Sequence, residues 1–330
     1  MARKKVPQHR ILDLAATLFI IVVVTTLRSY LLPAGGEATP SNPTPVGSLL
    51  QGVQQSLPML SALAWSLLLM FAGLDAGRYG PRFSLYPAYT LMAIPIFGVV
   101  AGAVMVSGEY LISGCAMMLM LLGTKYIIRC VMRSESFNDL SLSMLCYGAL
   151  PLLYAPAALL YVALPFMVLV VRNTWRDWVV GVSSMLFPLL SVSYWYWCAG
   201  EGFLTIGKQI YTSVLAPSGF SIFSTLNMAS IALLGIIIIM VLCAVSLIIS
   251  DRYSLKVKSR AVMRFNGFML LVAIVMFFMP GSTATLFAIL ATPVAILTPI
   301  IFVRMGVGFT EGLYRLMLLA AVANIVVMCL

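Results

Sequence analysis

The chain has 330 residues, of which 62% are hydrophobic and only 9% are charged, and its mean hydropathy is +1.05. A soluble globular protein carries about a quarter charged residues because its surface faces water, so this composition excludes that class. Apolar runs satisfy their backbone hydrogen bonds in a membrane as helices, and the chain lacks the short alternating segments of a membrane β-barrel. The sequence predicts an all-α fold, a transmembrane helical bundle, with residues 1–330 forming a single integral membrane domain.

Eleven apolar runs follow one another along the chain, and most reach the roughly 17–25 residues that a membrane span requires. They predict a polytopic bundle of about eleven spans. The two short runs at 140–154 and 156–171 form either two full spans or a re-entrant hairpin, and the sequence leaves both open. The runs occupy residues 11–32, 57–74, 86–107, 110–128, 140–154, 156–171, 177–198, 226–250, 266–280, 284–303 and 312–330.

Lysine and arginine residues predict the orientation of the bundle. With the N-terminus in the cytoplasm, eleven crossings place 18 of the 20 basic residues on the cytoplasmic side and leave only Arg28 and Lys208 outside. This asymmetry is what the positive-inside rule predicts. The net charge of +10 therefore indicates orientation, with contact to anionic membrane lipids as a second consequence, and nucleic acid is not an expected partner.

Residue types that carry chemistry are sparse in this sequence. There is one histidine, His9, and the six cysteines are scattered without a Cys-x-x-Cys pair. This argues against a metal site and against a histidine-based catalytic triad. The sequence also contains no phosphate-binding glycine loop, dinucleotide fingerprint, nucleophile elbow or zinc-protease motif. We therefore expect no metal and no cofactor.

Two predicted outer segments, at about 33–56 and 199–225, each contain an amphipathic stretch. Apolar residues recur at helical spacing over 46–57, with glutamines on the opposite face, and again over 203–214. The pattern predicts two short helices that lie in the outer membrane interface. They either cover the ends of the spans or frame an outward cavity for a lipid-linked substrate, and the sequence leaves both interpretations open.

Acidic residues on the predicted outer side are the candidate catalytic groups, since a carboxylate can act as general base towards an acceptor hydroxyl. Arg28 lies about one turn inside the outer end of the first run, and it either snorkels to the interface or, alone or together with Lys208, binds the phosphate of a lipid carrier. A catalytic role requires that at least one acid and Arg28 line a common outward cavity. The candidate acids are Glu37, Glu109 and Glu201.

Four aromatic residues at 194–197 end the seventh run. The whole run fits an interfacial aromatic belt, because successive helical residues point in different directions. If the helix continues through Gly200, Tyr194, Trp197 and Glu201 share one face, which adds both aromatic residues to the candidate lipid-binding set.

Residues 164–182 combine the end of an apolar helix, an Arg/Trp linker and a Trp-x-x-Gly start of the next helix. This stretch resembles uncharacterised polytopic inner-membrane proteins of the Bacteroidota, whose genes often neighbour envelope glycosyltransferases. The resemblance implies a multi-pass protein of the bacterial inner membrane and a role in envelope biogenesis. The outer-loop architecture is similar to that of type C glycosyltransferases, which use a polyprenyl-phosphate-linked sugar and an acid of the first outer loop. On that resemblance Glu37 is the comparable acid, and Glu109 lies in the next loop.

Three functions fit these patterns, and the sequence leaves open whether the chain is an enzyme. The first is a glycosyltransferase-like enzyme that acts on lipid-linked sugar at the outer face. The second is a non-catalytic scaffold or lipid-binding subunit whose partners are membrane lipids and envelope-biogenesis proteins. The third is a secondary transporter, which is disfavoured because ionisable residues are nearly absent at mid-membrane depth.

Overall fold

A computed structural model describes residues 11–31, 44–102, 109–133, 137–172, 174–215, 228–250 and 255–329. These ranges are helical without a β-strand, and each of the predicted apolar runs overlaps at least one helix. A short 3₁₀ turn at Ala155–Ala158 separates the sixth and seventh α-helices. The α-helices are α1 (Ile11–Leu31), α2 (Pro45–Ser56), α3 (Pro58–Phe83), α4 (Ala93–Gly102), α5 (Tyr110–Met132), α6 (Phe137–Leu153), α7 (Leu159–Arg172), α8 (Trp175–Cys198), α9 (Thr205–Leu215), α10 (Met228–Ser250), α11 (Val257–Phe277), α12 (Thr285–Leu297), α13 (Pro299–Arg304) and α14 (Val307–Cys329).

Six helical segments within the described ranges are long and apolar enough to cross a membrane. They are α3, α5, α8, α10, α11 and the combined α12–α13 segment Thr285–Arg304. Such segments are typical of a membrane-embedded protein, while the eleven crossings and the cytoplasmic N-terminus stay predictions. Helices α6 and α7 have 17 and 14 residues, so both the two-span and the re-entrant interpretation of this pair stay open.

Two helices reach well beyond their apolar runs. Helix α3 continues past the predicted limit at 74 to Phe83, and α11 begins at Val257 rather than at 266. The added segment of α3, residues 75–83, is stabilised by protein contacts, because Asp75 accepts hydrogen bonds from Lys125 at 2.8 Å and from Tyr79 at 3.0 Å. Hydropathy misses turns of this kind, since their polar side chains are satisfied by other helices rather than by water.

Helix α12 lies at the centre of the bundle. Every residue of α12 and of α4 is buried, and α12 packs against α4, α5 and α11. Tyr86, in the connection between α3 and α4, donates a hydrogen bond of 2.6 Å to the carbonyl of Ile296. Helices α6 and α8 also approach closely, because a Cβ at Gly148 would lie 2.0 Å from the carbonyl oxygen of Met185. Helices α4 and α12 are apolar although they are surrounded by protein, since every one of their residues is buried.

Helix ends gather into two opposite regions of the bundle. At the first, here called the basic end, the ends of α3 and α5 meet the starts of α6, α8 and α11. There Lys258 Nζ donates to a backbone carbonyl at the end of α5, and Arg129 lies 3.7 Å from Asp139. At the second, the acidic end, which contains Glu109 and Glu201, the ends of α6, α8 and α11 meet α2, α9 and the starts of α5 and α12. The eleven-span topology and the side of the membrane that each end faces stay predictions.

Candidate functional site

An open groove lies at the acidic end, between the start of α2 and the end of α8, and its volume is about 580 Å³. Glu201, which follows α8, is the only charged residue in its described lining. Two aromatic rings, aliphatic side chains and Ser191 form the remaining wall. The principal lining residues are Pro45, Val46, Leu49, Val192, Trp195, Tyr196 and Glu201.

The end of α8 positions Glu201 in this lining. Helix α8 ends at Cys198, and Gly200 adopts a φ of +90°, which residues with a side chain rarely tolerate. The backbone N–H of Glu201 donates a hydrogen bond of 3.0 Å to the carbonyl of Tyr196. Such a bond across a left-handed glycine is typical of a Schellman C-terminal cap. The cap turns the chain back, and Glu201 therefore lies beside the last turn of the helix.

The groove is lined by different aromatic residues from those that the sequence indicated. The condition for a shared face with Glu201 is not met, because α8 ends before that residue. Tyr194 and Trp197 contact each other with ring centroids 5.9 Å apart, and neither lines the groove. Their neighbours Trp195 and Tyr196 do line it. Lipid contact by Tyr194 and Trp197 stays a prediction.

Helix α2 forms where the amphipathic spacing predicts a helix, but part of its apolar side faces outwards. Leu49 is 70% exposed, whereas Gln54, from the predicted polar face, is buried. The Gln54 side-chain oxygen accepts a hydrogen bond of 3.2 Å from the backbone N–H of Leu111. Thr44, immediately before α2, donates to the carbonyl of Leu153 at 3.1 Å. Polar contacts therefore hold α2 against α5 and α6, and they leave its aliphatic side chains to line the groove.

Helix α9 covers the end of α6. Ile206 and Ile210 are buried and cluster with Leu152, as the predicted apolar face requires. Lys208 lies on the exposed side of α9 and does not line the groove. The location of α2 and α9 in the membrane interface stays a prediction, and so does a phosphate-binding role for Lys208.

Glu109 lies in a separate, buried polar cluster at the start of α5. Its Oε2 atom accepts hydrogen bonds from the hydroxyls of Thr283 at 2.8 Å and Thr285 at 2.7 Å, and from the backbone N–H of Thr285 at 3.3 Å. The Thr285 hydroxyl lies 2.9 Å from that of Ser113. The Tyr154 hydroxyl accepts from the backbone N–H of Thr283 at 3.0 Å. The cluster joins α5, the start of α12 and the turn that follows α6.

The Glu109 carboxyl group has no counter-ion among the described residues. Its side chain is almost fully buried, and its second oxygen, Oε1, has no hydrogen-bond partner there. Burial raises the pKa of the Glu109 carboxyl, against the hydrogen bonds from Thr285 and Thr283, which lower it. A buried carboxylate without a compensating cation is strongly disfavoured, so the neutral, protonated form is the favoured one. Glu109 does not line the groove.

Two predicted site residues lie outside what the structure describes. Glu37 belongs to residues 32–43, and the side chain of Arg28 is likewise not described, although its backbone belongs to α1. A cavity shared by an acid and Arg28 therefore stays a prediction. Glu109 and Glu201 lie at the same end of the bundle but in different sites.

Sequence reasoning missed the hydroxyl partners of Glu109. Thr283 and Thr285 follow it by 174 and 176 residues, and no periodicity connects the two segments. One signal of these partners was present in the sequence: the stretch Pro-Gly-Ser-Thr-Ala-Thr at 280–285 separates two apolar runs. Hydroxyl groups between apolar helices need hydrogen-bond partners, and a lone carboxylate at a neighbouring helix start can supply them.

No family model, curated protein or solved structure matches the chain. The described residues also contain no group of three or more His, Cys, Asp and Glu side chains that could hold a metal ion.

Proposed function

We propose that this membrane protein binds the head group of a lipid-linked sugar in the groove at the acidic end. The observation that carries the proposal is that Glu201 shares an open groove of about 580 Å³ with Trp195 and Tyr196. A concave, largely apolar and aromatic site with few polar groups is the usual form of a small-molecule site. Of the two candidate acids that the structure describes, Glu201 is the one that borders open space.

Each part of the groove matches one part of such a ligand. Indole and phenol rings can pack against the apolar faces of sugar rings. The Glu201 carboxylate can accept hydrogen bonds from sugar hydroxyls, and bonds to an ionised acceptor are stronger than neutral ones. The aliphatic side chains of Val46, Leu49 and Val192 offer contact to the hydrocarbon chain of the carrier.

The finer form of the proposal is a glycosyltransferase-like reaction at the outer face. Glu201 would act as general base and accept the proton of an acceptor hydroxyl, while a polyprenyl-phosphate-linked sugar would be the donor. A lipid-binding subunit without catalysis is the second candidate. It is favoured by the described lining, in which no basic side chain is available to hold the phosphate that leaves during transfer.

We further propose a bacterial inner membrane location, with a cytoplasmic N-terminus, about eleven spans, and α2 and α9 in the outer interface. Two observations support this arrangement. Residues 164–182 resemble inner-membrane proteins of the Bacteroidota, and residues predicted to be cytoplasmic gather at the basic end of the bundle. The proposed partners are membrane lipids and envelope-biogenesis proteins.

The proposal is tested by binding of a short-chain polyprenyl-phosphate-linked hexose to the full-length protein in nanodiscs, measured by native mass spectrometry. Trp195→Ala should weaken binding about tenfold, because losing an aromatic contact and its buried area together removes about 1–2 kcal/mol. Trp197→Ala is the matched control, since Trp197 is exposed and lies outside the groove lining. Equal binding by the two tryptophan variants would exclude the groove as the site.

Glu201→Gln separates recognition of the sugar from recognition of the lipid. This variant should lose affinity for the hexose-bearing lipid and retain affinity for the same polyprenyl phosphate without sugar. Sugar transfer to an acceptor then distinguishes the two candidate functions. An enzyme loses turnover in Glu201→Gln at saturating lipid, whereas a lipid-binding subunit shows no turnover in the parent protein.

A further inference from the structure

A second pocket, which the proposed function does not use, lies at the basic end. It has a volume of about 380 Å³, and it is formed where the ends of α3 and α5 meet the start of α11. Among the residues that the structure describes, its lining includes three cationic side chains and no carboxylate. The residues that matter for its chemistry are Arg82, Phe83, Met132, Lys256, Val257 and Lys258.

The three cations of this pocket are not neutralised by acids within the described ranges. Elsewhere in the chain, Lys125 pairs with Asp75 at 2.8 Å, and Arg129 lies 3.7 Å from Asp139. No carboxylate of a described residue lies within ion-pair distance of Arg82, Lys256 or Lys258. Like charges held around one concavity repel each other, so an anion in the pocket lowers the electrostatic free energy.

The backbone at the start of α11 adds to this preference for an anion. Lys256 is the N-cap residue, its side chain makes no capping hydrogen bond, and the first turn of α11 contains no acidic residue. The first N–H groups of a helix have no partner within the helix and carry the positive end of its dipole. Val257, Lys258 and Ser259 of this turn line the pocket. Phosphate groups commonly bind at such positions.

Contacts between the three elements fix the shape of the pocket. Lys258 Nζ donates a hydrogen bond of 2.6 Å to the carbonyl of Met132, which joins α11 to α5. The buried Ser259 hydroxyl lies 3.4 Å from the carbonyl of Ser84, which joins α11 to the end of α3. These bonds fix the Lys258 ammonium group and the start of α11 before a ligand arrives, and this reduces the conformational entropy lost on binding.

The apolar part of the lining indicates a lipid rather than a soluble anion. Val257 is 70% exposed, and the side chains of Phe83 and Met132 line the same pocket. An inorganic phosphate would leave these groups unused, whereas the glycerol and acyl carbons next to a lipid phosphate can contact them. Basic pockets between transmembrane helices are known to suit the head groups of anionic lipids.

We propose that the pocket formed by Arg82, Lys256 and Lys258 is a specific binding site for the phosphate head group of an anionic membrane lipid. The lipid phosphate accepts hydrogen bonds from the three side chains and from the N–H groups at the start of α11. Its first acyl carbons lie against Val257. The site is independent of the sugar-lipid groove, which lies at the opposite end of the bundle.

The experiment measures binding of phosphatidylglycerol to the full-length protein in zwitterionic detergent by native mass spectrometry, with phosphatidylcholine as the neutral lipid. Lys256→Gln and the double variant Arg82→Gln/Lys256→Gln should weaken phosphatidylglycerol binding about tenfold and about a hundredfold, since a charge-assisted hydrogen bond is worth about 1.5–3 kcal/mol before solvent screening. Arg264→Gln is the matched control, because it removes the same charge from an exposed position of α11 outside the pocket. Lys256→Arg, which keeps the charge, should bind nearly as well as the parent.

Three results would overturn the proposal. The first is equal loss of phosphatidylglycerol in Lys256→Gln and Arg264→Gln, which would indicate diffuse attraction to the whole basic end. The second is equal affinity of the parent for phosphatidylcholine and phosphatidylglycerol. The third is full competition by inorganic phosphate at the lipid's own concentration, which would assign the pocket to a soluble anion. Unchanged thermal unfolding of each variant confirms that a loss of binding is not a loss of folding.

Discussion

Replacement of Glu109 tests whether a neutral carboxyl group joins the helices at the acidic end. Glu109→Gln keeps an oxygen that can accept from Thr283 and Thr285, and it removes the titratable proton. If the native carboxyl is protonated, the change is close to isosteric and neutral. We therefore expect the free energy of unfolding to change by less than about 1 kcal/mol.

Glu109→Ala removes the acceptor altogether. Two threonine hydroxyls and the backbone N–H of Thr285 then lose their partner inside a site where Glu109 is only 4% exposed. An unsatisfied buried donor costs about 1–3 kcal/mol, and the hydroxyls can rotate towards other acceptors, of which Ser113 is one. The expected net loss is about 2–4 kcal/mol.

The pH dependence of stability gives a second readout. A carboxyl group whose pKa is higher in the folded than in the unfolded chain binds more protons when folded, as burial requires of Glu109. Its contribution to stability is fully present below the unfolded pKa of about 4.3 and is lost as the pH rises through the folded pKa. Between these two pKa values the free energy of unfolding falls by up to about 1.4 kcal/mol per pH unit. Glu109→Gln has no titratable group at this position and should not show this contribution.

Unfolding of the full-length protein in bicelles by SDS, followed by tryptophan fluorescence, measures both effects. The parent should lose stability relative to Glu109→Gln as the pH rises above the unfolded pKa of about 4.3. Two results would refute the hypothesis that the Glu109 carboxyl group is neutral in the folded protein. In one, Glu109→Gln is as unstable as Glu109→Ala. In the other, the parent gains stability relative to Glu109→Gln over the same pH range.

Three further substitutions test other contacts, with thermal unfolding in detergent as the measurement. Gly148→Ala should destabilise the protein by about 1–3 kcal/mol, because the new Cβ would lie 2.0 Å from a carbonyl oxygen of α8. Gly235→Ala is the control, and it should be neutral or slightly stabilising because its Cβ would meet open space. Asp75→Asn should cost about 1 kcal/mol, because its pair with Lys125 is partly exposed, and a further Lys125→Met change should then cost little. Gly200→Ala should cost about 1–2 kcal/mol, since its φ of +90° strains any residue with a side chain.

Hydropathy could locate the helices but could not tell which of them face lipid. Both α8 and the α12–α13 segment have the composition of a membrane span. Yet 17% of the most apolar window of α8 is buried in the protein, compared with 94% for Thr285–Arg304. A lipid-facing and a protein-facing helix have the same apolar composition because both environments exclude water. Burial depends on which helices pack together, and a single sequence carries little information about that.

The candidate site was predictable in part, for physical reasons that differ between residues. Glu201 could be found because an acid next to an aromatic run is conspicuous in a chain with only ten acidic residues. The face shared by Tyr194, Trp197 and Glu201 depended on where α8 ends, and the left-handed Gly200 ends the helix three residues before Glu201. Helix spacing is informative only within one helix, and functional groups often lie just beyond its end.

Helix α2 connects the two parts of the acidic end. Val46 and Leu49 line the groove, and Gln54, further along the same helix, accepts a hydrogen bond from the first turn of α5, next to Glu109. A shift of that turn after loss of the Glu109 acceptor would therefore move a wall of the groove. Glu109→Ala should weaken binding of the sugar-bearing lipid several-fold more than Glu109→Gln, although Glu109 does not line the groove. Equal lipid affinity of the two variants, measured where both are folded, would show that the groove is independent of the Glu109 cluster.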